Sequence, residues 1–108
     1  MKTNQLTRGE ERRVMYIENK NGLIDGACAR IGWVSFSKTG RTVYYKDRVL
    51  KAIGGRGVRG NFVDEKTGEE FWVSGIKKRG SNAHPAEAVV PAVDGDAKEE
   101  YERLRSGA

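Results

Sequence analysis

The sequence predicts a mainly β fold: a small antiparallel open barrel, SH3-like or related, of four to six strands with one C-terminal α-helix. Three observations carry this expectation. Glycine is abundant, 14 against two prolines in 108 residues, and it serves turns, bulges and close backbone approach better than helix interiors. Short runs of β-formers recur between turn signals. Only the final stretch carries acids early and arginines late, the charge order that suits a helix dipole. The length fits one domain.

The first dozen residues are polar and aperiodic and predict a disordered leader over 1–12; the domain spans 13–105. "RVMYIEN" (13–19) reads as a strand closed by the turn-like "NKNG". "ACARIGWVSFS" (27–37) is the longest strand. Ala29 and Ile31 share one parity while Val34 and Phe36 take the other, which predicts a β-bulge near Gly32 and Trp33. "SKTGRT" (37–42) supplies a short loop before the strand "TVYYK" (42–46), and the same chemistry returns at "DEKTGEE" (64–70) between "NFV" (61–63) and "FWVSG" (71–75). Lys38-Thr39-Gly40 and Lys66-Thr67-Gly68 therefore predict two hairpin turns of one type. "RVLKAI" (48–53) has no strong period and fits a short strand or a helical turn. "IKKRGSNAHPAEA" (76–88) reads as an exposed loop broken at Pro85, and "VVPAV" (89–93) as a short edge strand, where proline is tolerated. "DGDAKEEYERLR" (94–105) reads as the helix, opened by capping aspartates, with Tyr101 and Leu104 on its buried stripe.

Charge is uneven along the chain. Residues 1–26 carry five basic and four acidic groups, residues 27–80 twelve and five, and residues 81–108 three and six, leaving the centre at +7 and the tail at −3. A basic centre attracts polyanions. Cys28 is the only cysteine, which excludes an intramolecular disulfide and a cysteine zinc site. No segment approaches the roughly 18 apolar residues of a membrane span, and the expected location is cytoplasmic.

"GGRGVRG" (54–60) spells G-x-G-x-x-G, but a dinucleotide fingerprint needs a helix after it, and a hairpin pattern follows instead. The stretch reads as a flexible connector whose Arg56 and Arg59 meet either phosphate or water. Ser35-Phe-Ser-Lys38 spells S-x-x-K and runs directly into Lys38-Thr39-Gly40. In penicillin-binding enzymes those elements lie far apart, so the match carries no weight. His84 is the only histidine and stands beside Pro85 in a loop. Cys28 on a strand reads as a small buried hydrophobe. Asp64, Glu65, Glu69 and Glu70 flank one hairpin and read as solubilising acids rather than cation ligands. No catalytic residue, metal site or cofactor is expected.

The aromatic residues carry more. In Tyr44-Tyr45 and Phe71-Trp72 the adjacent rings point to opposite faces, so one of each pair belongs to the core. Alternation alone does not decide which. Outward rings beside cations form the surface that single-stranded nucleic acid uses, through base stacking and phosphate contact. The residues expected to supply it are Arg30, Trp33, Arg41, Tyr44, Lys46, Arg56, Arg59, Trp72, Lys77, Lys78 and Arg79.

By "VMYIENKNGLIDGACARIGWVSFSKTGRTVYYKD", "GNFVDEKTGEEFWVSGIKKRG" and "EEYERLR", the chain resembles a family of short bacterial proteins without an assigned role, some labelled deoxyxylulose-phosphate synthase. A thiamine-diphosphate enzyme needs several α/β domains, which this length and pattern exclude. The resemblance implies a compact module with an exposed turn and a basic "KKRG" loop, and no catalytic residues. The expected function is a non-enzymatic module binding RNA or single-stranded DNA through the basic central face. The alternative is a protein-interaction module using a strand edge or outward aromatics.

Overall fold

A computed structural model describes residues 11–53, 60–77 and 90–106. Six strands follow one another: β1 (Glu11–Asn19), β2 (Ala29–Phe36), β3 (Thr42–Tyr45), β4 (Arg48–Ala52), β5 (Phe62–Asp64) and β6 (Glu70–Ser74). A two-residue β7 (Ala92–Val93), a 3-10 turn (Gly95–Ala97) and α1 (Lys98–Ser106) complete the described chain. Each of the six strands pairs antiparallel with the next, and β6 returns to β1, so the barrel is a closed meander. β7 lies outside the ring, parallel to β2. "RVLKAI" resolves as a strand because β4 must bridge β3 and β5. β1 begins at Glu11, so Arg12 belongs to a strand and not to a leader; residues 1–10 lie outside the described residues.

Closure imposes a stagger. Stepping across the ladders from Glu11 through Phe36, Val43, Leu50 and Asp64 reaches Glu69, whose neighbour Glu70 binds Asn21, about ten residues beyond the start.

The expected bulge at Gly32 is absent. The β1–β2 register runs unbroken from Glu11↔Phe36 to Glu18↔Ala29. Both parities of β2 are apolar because both of its faces are covered, as in strands buried on two sides. Val34 belongs to the barrel interior with Ile17, Val43, Tyr45, Leu50, Phe71 and Val73, and Phe36 packs against that cluster. Ala29 and Ile31 join Val14 and Tyr16 on the outside, under Ala97, Tyr101 and Leu104 of the C-terminal segment. Tyr101 and Leu104 thus form the inward stripe that their spacing predicts, though both are half-buried rather than buried. Gly32 has a different use: a Cβ there would collide with the Asp94 carboxylate and lie 2.8 Å from the Tyr45 ring.

Two further details separate expectation from structure. Asp94 precedes the 3-10 turn but makes no side-chain cap; its carboxylate is spent on Arg30 and Tyr45 instead. Cys28 sits in a bend before β2 and is exposed, not buried, because β2 starts only at Ala29. The two matched turns both place glycine at positive φ, +77° at Gly40 and +79° at Gly68, but they close differently: the Gly40 amide bonds the Ser37 carbonyl three residues back and the Gly68 amide the Asp64 carbonyl four residues back. A third tight turn, Asp25-Gly26 within the Ile24↔Ala27 bridge, also takes positive φ.

A meander sends alternate connections to opposite ends. The start of β1, the β2–β3 turn and the end of β4 lie at one end, hereafter the upper end. The β1–β2, β3–β4 and β5–β6 turns lie at the lower end.

Candidate nucleic-acid interface

The upper end is built where β1 enters the ring. Its cross-strand partners on β2 bring two rings beside two arginines: Phe36 stands opposite Glu11, and Trp33 opposite Val14. The Arg12 guanidinium lies 4.6 Å over the centroid of the Trp33 ring, and that of Arg13 lies 5.9 Å from Phe36, both within cation–π range. Arg13 also contacts Glu11 at 2.7 Å in an exposed pair. Lys38 and Arg41 are exposed on the adjoining turn. Among the described residues no carboxylate forms an ion pair with Arg12, Lys38 or Arg41.

Two open hollows flank the start of β1. One, of about 290 Å³, is bounded by Arg13, Phe36 and the turn from Ser37 to Gly40. The other, of about 360 Å³, lies between β1 and α1 over Trp33, Ile76 and Leu104. Their volumes fall at the small end of ligand sites.

The residues expected from sequence divide between the two ends. Trp33 and Arg41 lie at the upper end, the former half-buried with its indole N–H donating to the Asp96 carbonyl at 2.9 Å. Tyr44 is the outward ring of its pair, half-buried, opposite Ser35 and Val49, whereas Tyr45 is in the core. Trp72 is likewise the outward member, but it packs into the layer of Tyr101 and Leu104. Lys77 follows β6 and is exposed, and its carbonyl accepts a bond from Arg105 at 2.8 Å. Arg56, Arg59, Lys78, Arg79 and His84 lie outside the described residues.

Arg30 and Lys46 are at the lower end in acid company. Arg30 donates from Nε to Asp94 Oδ1 at 2.6 Å and from Nη1 to the carbonyls of Ile24 and Asp25. That bond to Asp94 raises its already high pKa. Tyr45 donates to the other carboxylate oxygen, also at 2.6 Å. Burial, then the hydrogen bond and charge of Asp94, drive its phenol pKa well above the ordinary value. Lys46 takes φ +55° and reaches Asp25 at 3.2 Å. Arg30 is largely covered and tied to buried Asp94, whereas Lys46 stays 47% exposed but lies beside the Asp25 carboxylate.

The acids of the β5–β6 hairpin have similar duties. Asp64, 3% exposed, binds Arg48 at 3.1 Å and accepts the amides of Lys66 and Thr67, which shapes the turn. On the outer face, buried Glu18 accepts bonds from Tyr16 at 2.7 Å and from Lys20 at 3.0 Å. No group of three His, Cys, Asp or Glu side chains among the described residues could hold a metal ion.

The sequence reading missed Arg12, Arg13, Phe36 and Lys38. The signal was the "RR" directly before the first apolar strand, but its meaning depends on the β1–β2 register, which places those arginines against β2 rings.

Compared with family models, with curated proteins and with solved structures, the chain matches none, so no residue role comes from a relative. No described helix is long and apolar enough to cross a membrane.

Proposed function

We propose that the protein is a non-enzymatic binding module for single-stranded nucleic acid, RNA or DNA, acting in the cytoplasm through the upper end of an SH3-like barrel. The observation that carries this reading is the gathering of Arg12, Lys38 and Arg41, none paired with a described acid, beside Trp33 and Phe36. Phosphates meet the cations and unstacked bases meet the rings, the combination that sequence-tolerant single-strand binding uses. The basic central face expected from composition becomes narrower: Arg30 and Lys46 leave it, and Arg12, Arg13 and Lys38 enter.

Fluorescence anisotropy with a labelled single strand across a salt series tests the reading. Three phosphate contacts give a log–log salt slope of about −2 for a single strand. Substituting Arg12, Lys38 and Arg41 together by glutamine removes most of that slope. Binding that is absent at low salt, or indifferent to salt, rejects the proposal.

A second reading, a protein-docking module, draws on β7. Among the described residues it is paired on one side only, and Val93 within it and Val90 just before it are 37% and 88% exposed. A partner strand could add there. Capture of a protein from nuclease-treated lysate, lost when Val93 is replaced by lysine, favours that reading over the first.

A further inference from the structure

The hollow between β1 and α1 contains one feature that simple phosphate binding does not explain. Glu100 is the single acid among its lining residues, set among Arg12, Arg13, Trp33, Ile76 and Leu104. A carboxylate repels phosphate, yet it accepts hydrogen bonds from base amino groups. Arg103 grips both of its oxygens, with Nε donating at 2.9 Å and Nη2 at 2.6 Å. That grip fixes the carboxylate's direction and holds its pKa below the ordinary range. Each oxygen still has a lone pair to offer.

The Trp33 ring is held equally firmly by its bond to the Asp96 carbonyl. Its open face is covered by Arg12, an exposed side chain near the end of a strand. A guanidinium so placed can turn to a phosphate and leave the ring to a base.

Resting on the nucleic-acid reading above, the geometry points to a pocket for one unstacked nucleobase bearing an exocyclic amine. The base lies on Trp33, its amine faces Glu100, and the flanking phosphates meet Arg12 and Arg13. The site therefore distinguishes cytosine, which carries an amine at position 4, from uracil, which carries a carbonyl there and meets the carboxylate as acceptor against acceptor.

The test uses the full chain and two labelled oligoribonucleotides of about eight nucleotides, one all cytidine and one all uridine, a length within the span of a small-barrel site. The expected result is roughly tenfold tighter binding of the cytidine strand, the ratio that one good base-edge contact supplies. Glu100→Gln brings the ratio close to one, because an amide both donates and accepts. Glu102→Gln, the same charge change two residues away on an exposed position, keeps the preference. Equal affinity of the native chain for the two strands, or a preference that survives in Glu100→Gln, overturns the pocket and leaves the broader reading standing. Failure to bind either strand at low salt overturns both.

Discussion

Three residues, Arg30, Gly32 and Tyr45, meet at Asp94, far from them in sequence. Its carboxylate is 5% exposed and is held by Arg30 and by Tyr45 above the backbone of Gly32. A buried carboxylate without partners is costly, so the bonds are obligatory rather than ornamental. Gly32→Ala puts a methyl group into that carboxylate and the Tyr45 ring. We expect a loss of about 3 kcal/mol, the upper range for overpacking, measured as a shift in the urea midpoint. Tyr45→Phe removes one donor to a charged acceptor and should cost about 2 kcal/mol at neutral pH. It also changes the response to alkali. The folded phenol has its pKa raised above the ordinary 10.0, so the contribution of its proton is complete below pH 10 and is lost as pH rises beyond that. Urea midpoints at pH 8 and pH 11 should fall steeply for the native chain and less for Tyr45→Phe. None of this was readable from sequence. Asp94 looks like a helix cap in one dimension, and only the fold reveals that its side chain turns inward.

At the scale of elements, the glycine turns and the existence of strand β2 were legible, but the unbroken register of β2 was not. Turn chemistry is local: "KTG" twice specifies a positive φ at its third residue, and Gly40 and Gly68 adopt it. A Cβ at either glycine meets nothing within 4 Å, so Gly40→Ala and Gly68→Ala isolate the backbone cost. Each should lower stability by about 1 kcal/mol, equally within error, since the conformation and not packing is at stake. A markedly larger loss at one site would show that its turn has a further role. β2 misled because apolar residues of both parities suggest a slip in register when only one face is thought to be buried. α1 supplies the second covering, through Tyr101 and Leu104. Truncating both to alanine should expose Trp33 and Trp72, shift tryptophan emission to the red and cost about 2 kcal/mol in total, as the sites are half-buried.

Taken as a whole, the molecule sorts charge by end. The meander sends Arg12, Lys38 and Arg41 to the upper end, while Arg30, Lys46 and Arg48 are paired with Asp94, Asp25 and Asp64 below. Composition showed a basic centre but could not show which cations were already spoken for. Replacing Lys46 and Lys66 by glutamine should therefore leave single-strand affinity within about twofold, whereas the same change at Lys38 and Arg41 should reduce it roughly tenfold or more at low salt. The order of pairing around the ring has another result. Within the six-stranded ring every ladder joins strands adjacent in sequence except one, β1 with β6, where Tyr16↔Ser74 to Asn19↔Phe71 close the circle. That seam needs the longest loop closure of the ring and should be the last of its ladders to form. It is also where the cylinder can part, and a parted cylinder has two raw strand edges able to recruit a second chain. Amide exchange at Ile17 and Val73, faster than at Val34 and Val43, would mark the seam as the weak stave of the barrel.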